Sequence, residues 1–192
     1  MRDARAFVQT RAAAGRGQIG ASVPWIGLEH LAARVCDNKG TMPTELGQIF
    51  QRRLDQAETR LSRIGEQQAA EPVRSGGWLR KEVLGHLLDS AANNHQRFVR
   101  AAIDGHYEGP GYEQEGWVRL HGYAELPWTN LISTWRDRNT VLARLVERIE
   151  EQRLQAPCKV GDGAPVTLQF LIEDYLRHLD HHVCQITGEA GS

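Results

Sequence analysis

Apolar residues recur at alternating three- and four-residue steps in four separate segments, and this periodicity constrains the fold more than any other feature of the chain. Leu46, Ile49 and Phe50, Leu54, Ala57, Leu61 and Ile64 mark the first segment, over about residues 44–68. Val83, Leu84, Leu87, Ala91, Phe98 and Ala102 mark the second, from Leu79 to about Ile103. Leu131, Ile132, Trp135, Leu142, Leu145, Val146 and Ile149 mark the third, from about Trp128 to Glu151, and a fourth runs from Thr167 to Gly188. Side chains three and four apart share one face of a helix, so each segment has a long stripe to bury against the others. No convincing alternating strand competes with this pattern. The predicted fold is all-α: a four-helix bundle with one long crossover, from Asp104 to Pro127, between helices two and three. That crossover is dense in glycine, proline and aromatic residues, and connections of this length inside a domain carry short helices or serve a function.

Composition narrows the class further. A chain of 192 residues with 41% hydrophobic and 24% charged residues suffices for one domain with its own core. A formal net charge of -1 gives no basic patch, so nucleic acid is not an expected partner. No apolar run approaches the roughly 20 residues that span a bilayer, and no secretory signal is evident, so no membrane role and a cytoplasmic location are expected. Cys36, Cys158 and Cys184 are odd in number and widely spaced, which reads as reduced thiols rather than a disulfide or zinc-ribbon framework. Residues 1–41 are rich in arginine, alanine and glycine and lack a helical period. They are expected to be an N-terminal extension, disordered or a start-site artefact, with Met42 as a candidate first residue and a bundle domain over 42–192.

The fourth segment carries the chemistry. Thr167 is placed to cap its start and Gly188 to end it. At about 100° per residue, His178 and His182 lie about 40° apart on the side that also carries Leu171, Tyr175, Leu179 and Ile186, whereas His181 falls about 60° to the far side of His178. Two imidazoles four residues apart can share one cation. The same spacing also suits two core histidines satisfied by carboxylates or water, and only a third ligand decides between these readings. His86 lies on an interior-facing ridge of the second segment, with Ser90, Asn93 and Arg97 on nearly the same side. Such a polar line is either a buried hydrogen-bond network or a third ligand with substrate-contacting groups beside it. Three imidazoles would leave coordination positions open, as a catalytic ion requires. Arg97 presents a planar fork for a substrate carboxylate, or makes a salt bridge. Asp174 stands about a turn before His178, where it orients a ligand histidine, acts as a base, or compensates the helix start. No catalytic residue is assigned.

Trp78-Leu-Arg-Lys-Glu-Val-Leu-Gly-His-Leu-Leu-Asp-Ser90, followed by Asn93, Arg97 and Phe98, then Pro110-Gly-Tyr112, Trp117 and Asp174-Tyr-Leu-Arg-His-Leu-Asp-His-His-Val-Cys-Gln-Ile186, resembles the DinB-like superfamily, and within it the YfiT-like branch of metal-dependent enzymes. The resemblance covers about residues 44–188. It implies a four-helix bundle, often a homodimer, and a divalent metal ion, zinc or nickel, held by His86, His178 and His182. Related branches use low-molecular-weight thiols such as bacillithiol, mycothiol or glutathione. The implied function is therefore a metal-dependent S-transferase with a thiol co-substrate and a small-molecule substrate, for which Asn93, Arg97 and Asp174 are the candidate contacts by their positions. A metal-dependent hydrolase and a non-catalytic metal-binding stress-response protein are the alternatives. One position departs from the family pattern: Leu79 stands where a serine or threonine commonly caps the second helix. The crossover, through Tyr112 and Trp117, is expected to cover the open side of the metal site.

Overall fold

The computed structural model describes residues 45–189; the extension expected over 1–41, with Met42, lies outside the described residues. In chain order the helices are α1 (Glu45–Leu61), α2 (Glu66–Ala69), α3 (Arg80–Asp104), α4 (Gln114–His121), α5 (Trp128–Val146) and α6 (Leu168–Thr187). The four long ones carry the four apolar stripes. Phe50 and Leu54 of α1, Leu84 and Leu87 of α3, Trp135 of α5 and Ile172 of α6 are among the fully buried side chains that join them. The main packing sets both α1 and α3 against α5 and α6. Helix α3 therefore has α6 as a neighbour although α5 intervenes in sequence, and that adjacency brings the histidines of the two together. Among the described residues, no helix is long and apolar enough to cross a membrane.

Local chemistry explains the helix ends. Leu79 has no side-chain acceptor for the α3 start, but Glu82 reaches back and its Oε2 accepts from the Leu79 N–H at 2.8 Å. The Glu66 carboxylate of α2 accepts from the Trp128 N–H at 2.7 Å, so it caps α5, and it also pairs with the buried Lys81. In α6 the Thr167 hydroxyl accepts from the Phe170 N–H at 3.1 Å, and Gly188 takes the left-handed φ of 71° that ends the helix.

Three features depart from the sequence reading. The first predicted helix, 44–68, is two helices: the Ile64 N–H bonds to the Leu61 carbonyl at 3.1 Å and Gly65 turns extended. The break folds Ile64 and Ala69 onto the core and carries Glu66 to α5. The third predicted helix, to Glu151, stops at Val146, and the turn that follows buries Ile149 before a 3-10 turn over Glu151–Gln155. Finally, a small sheet exists where no strand was expected. It consists of β1 (Tyr107–Gly109), β2 (Pro157–Val160) and β3 (Val166–Thr167), with β1 parallel to β2 and β2 antiparallel to β3. Tyr107 lies opposite Cys158, and Pro157 lies opposite Thr167, so the sheet ties the crossover to the start of α6. Cys158 is buried and Cys184 half-buried, both as free thiols.

Candidate metal centre

The contact of α3 with α6 sets His86 of one helix against His178 and His182 of the other. The Nε2 atom of His178 is 3.1 Å from that of His86 and 3.0 Å from that of His182. The three ligand atoms lie within 4.8 Å of one another, and among the described residues this is the group of histidine, cysteine and carboxylate side chains that is close enough to hold one ion. His86 is 1% exposed, while His178 and His182 are half-buried. Nitrogen–zinc bonds of about 2.0–2.1 Å place two nitrogens on one ion about 3.0–3.4 Å apart, so this spacing suits an ion as well as it suits a shared proton.

The protonation state favours the ion. The Nδ1 of His182 is 2.8 Å from the Gln185 Oε1, an atom that only accepts, so Nδ1 carries the proton and the Nε2 lone pair faces inward. The Gln185 amide is itself oriented by the His181 Nε2 at 2.8 Å. His181 is exposed and stands outside the group of three. Burial, and then the neighbouring His182 and His178, push the His86 imidazole down to about 3. Burial and His182 push His178 down to about 4, against an opposing pull from Asp174. His182 is lowered by burial, with the Gln185 hydrogen bond opposing. All three rings are thus neutral at physiological pH, and neutral imidazole is the form that binds metal. The Trp78 ring, 5.5 Å from that of His86, and the Tyr112 ring, stacked at 6.4 Å, hold the His86 plane in place. Three convergent neutral nitrogens in a mostly buried setting fit a divalent ion that keeps further coordination positions open.

The family model for the DinB superfamily matches residues 49–186. The chain belongs to the DinB superfamily. It is 24% identical over 140 residues to a provisionally named metal-dependent hydrolase of Oceanobacillus iheyensis, covering 69% of this chain and 80% of that protein. It is 26% identical over 125 residues to one of Bacillus cereus, covering 65% of this chain and 72% of the other. Among solved structures it is similar to YfiT of Bacillus subtilis, provisionally described as a metal-dependent hydrolase with an unusual four-helix bundle topology. That match has a TM-score of 0.67 at 20% identity and covers 78% of this chain and 89% of YfiT. It is also similar to a mycothiol-dependent maleylpyruvate isomerase, with a TM-score of 0.62 at 13% identity, covering 74% of this chain and 59% of the isomerase.

Within this DinB-superfamily bundle the remaining site residues expected from sequence are distributed unevenly. Arg97 is 8% exposed and donates to the Asn94 Oδ1 at 3.3 Å, and the Asn94 amide donates to the Ser90 carbonyl at 3.0 Å. The buried polar line of α3 thus runs through Asn94. Asn93, the residue the sequence pointed to, is half-buried and donates to the Asp89 carbonyl of its own helix at 2.9 Å. Asp174 is exposed and pairs with Arg177 at 3.1 Å, while the His178 Nδ1 has no hydrogen-bond partner among the described residues. It does not orient that histidine, because Arg177, three residues on along the same helix, takes its carboxylate. The crossover does lie over the centre: Tyr112 stacks on His86 and Trp117 packs 5.2 Å from Tyr112. Burial pushes the Tyr112 hydroxyl up to about 12, with Ser90 bonded to it. A cavity of about 420 Å³ opens beside His182, between Val73, Trp78, Val83, Glu115 and Gln185. The role of Gln185 was not assigned from sequence, although its position three residues after His182 places it one turn away on the same helix.

Proposed function

We propose that this chain is a metal-dependent enzyme that activates a low-molecular-weight thiol for transfer to a small electrophile. The observation that carries this reading is the convergence of three neutral Nε2 atoms at 3.0 and 3.1 Å beside an open cavity. When bound there, a divalent ion such as zinc or nickel would supply the Lewis acidity that makes a thiolate or hydroxide available near neutral pH. The chain's own residues do the rest. Gln185 fixes the proton of His182 on Nδ1, and Trp78 and Tyr112 hold His86 and limit water on its side. The buried Arg97, steadied by Asn94, offers a cation to an anionic group of the substrate. The thiol-dependent isomerase of similar fold supports this reading. The names of the sequence relatives favour a second one, hydrolysis by an activated water at the same centre.

Turnover assays on zinc- or nickel-loaded protein separate the two. Bacillithiol, mycothiol, glutathione and cysteine would each be offered with a chlorodinitrobenzene electrophile, beside a panel of esters and amides without thiol. Thiol-dependent turnover that disappears in His86→Ala is the expected result. Thiol-independent hydrolysis lost in the same variant would move the assignment to hydrolase. Retention of the metal without any turnover would point to a metal-binding protein that is not an enzyme.

A further inference from the structure

A second cleft lies between α3, the end of α4 and α5, and it shares no lining residue with the cavity beside His182. It encloses about 220 Å³ and is lined by Asp89, Trp117, His121, Tyr123, Leu131 and Arg138, with Ala92 in its wall. Its floor is unusual. Asp89 is 2% exposed, and a single oxygen of its carboxylate, Oδ1, meets both the Tyr123 hydroxyl at 2.7 Å and the His121 Nδ1 at 3.1 Å. The other oxygen, Oδ2, is buried and has no hydrogen-bond partner among the described residues. A carboxylate with a structural role alone is best held by donors on both oxygens, because a buried acceptor left unsatisfied costs free energy. This one keeps an acceptor free next to a cleft.

The walls and the rim narrow what would use that acceptor. The rings of Trp117 and Tyr123 lie 5.9 and 5.1 Å from that of His121, so aromatic surface surrounds the acid, a setting that favours an ammonium group. Trp117 is 37% exposed and so remains open to a ligand. Arg138 is exposed and forms no ion pair with any described residue, yet it acts electrostatically on Asp89. A simple cation would be attracted by Asp89 and repelled by Arg138, and a simple anion the reverse. A molecule that carries both charges on a short chain satisfies the two. From the juxtaposition of the half-satisfied Asp89 carboxylate, its aromatic surround and the unpaired Arg138 at one 220 Å³ cleft, we infer that this is a second binding site, for a small amino-acid zwitterion. The amine sits at Asp89 and the carboxylate at Arg138, with the aliphatic chain against Leu131 and Trp117.

Calorimetric titration of the full-length protein with γ-aminobutyrate, butylamine and butyrate tests this directly. Saturable binding of γ-aminobutyrate is expected, at least tenfold tighter than either single-charge analogue. Asp89→Asn should weaken it at least tenfold, and Arg138→Gln should reduce it to the level of butylamine. Asp89→Asn also disturbs the Tyr123 and His121 contacts, so Ala92→Phe, which fills the cleft without changing charge, serves as the second variant, with melting temperature and metal content followed in each. It should abolish binding and leave metal content unchanged. No saturable heat with γ-aminobutyrate, glycine or ε-aminocaproate would overturn the assignment, and so would undiminished binding in Ala92→Phe.

Discussion

His86 and Asp89 are three residues apart on α3, both almost wholly buried, and the fold treats them in opposite ways. Around His86 it gathers two more imidazoles and, among the described residues, no carboxylate in hydrogen-bond contact, so burial and like neighbours drive its pKa down and the ring is kept neutral. Around Asp89 it places a tyrosine hydroxyl and a histidine, while burial drives that pKa up. The first cluster consists of acceptors facing one another and is completed by a cation. The second is an acceptor given donors on one oxygen only, with the other left without a partner among the described residues. A buried polar group is therefore a metal ligand only where its neighbours withhold the donors that would otherwise satisfy it.

The strongest way to break this contrast is to remove one acceptor from the first cluster. His86→Ala should lower affinity for zinc or nickel by two orders of magnitude or more, because the ion loses a nitrogen that no other described side chain replaces. His181→Ala should change affinity by less than about tenfold, since that ring supplies no ligand atom and acts only through the Gln185 amide and its edge-on packing 5.1 Å from the His182 ring. Metal content by mass spectrometry after removal of loosely bound ions compares the two. Equal loss in both variants, or none in His86→Ala, would dissolve the triad.

Acid sharpens the contrast in the metal-free protein. His86, at about 3, and His178, at about 4, lie below the ordinary imidazole value of about 6.5, and His182 is lowered too. The unfolded chain takes up protons that the folded one refuses. Stability is therefore full above about pH 6.5 and falls as pH drops through that value, levelling only near the depressed folded values. Proton competition for the ion shifts in the same direction, below the pH of about 6 that unperturbed histidines would suggest. Urea midpoints between about pH 7 and pH 5, above the ordinary carboxylate range, should decline in wild type and decline less steeply in His86→Ala. Identical slopes would show that His86 is not a buried neutral group.

Parts of this contrast were legible in the sequence and parts were not. Helix geometry fixes angles within one element, so the pairing of His178 with His182, the exclusion of His181 and the ends of α6 at Thr167 and Gly188 follow from spacing alone. That His86 meets them depends on α3 and α6 being neighbours, which spacing cannot supply. Asn94 rather than Asn93 joins the buried line, and the two differ by about 100° around α3, so the choice rests on how that helix is rolled against its partners. Asp174 stands at a plausible spacing from His178, but local competition from Arg177 decides where its carboxylate goes. The strands were invisible because two to four residues are too few to show an alternation, and their pairing joins segments some fifty residues apart.

On the Asp89 side a smaller effect is expected from Tyr123→Phe, which removes one donor and leaves the ring in place. The lost hydrogen bond to a buried carboxylate should reduce stability by about 2 kcal/mol, read as a lower urea midpoint at neutral pH. Metal affinity should not change, because the Tyr123 ring, which packs so closely on Gly85 that a Cβ there would collide with it, still supports the α3 turn that carries His86. A simultaneous loss of metal would mean that the two clusters are coupled through that turn.

The smallest expected effect belongs to the outer support of the histidine cluster. Gln185→Leu keeps the bulk of the side chain and removes the acceptor for the His182 Nδ1 proton, 2.8 Å away. Without it His182 is free to place its proton on Nε2, where the lone pair is needed, and to rotate about its ring axis. Loss of such an orienting partner weakens metal binding by about tenfold to a hundredfold, less than loss of a ligand, and the lower end fits here because Gln185 is exposed and water can take its place. Competition titration against a chromophoric chelator gives the affinity, and imidazole nitrogen chemical shifts report the tautomer of the metal-free protein. An unchanged affinity together with an unchanged tautomer would show that His182 is oriented by its packing against α3 alone.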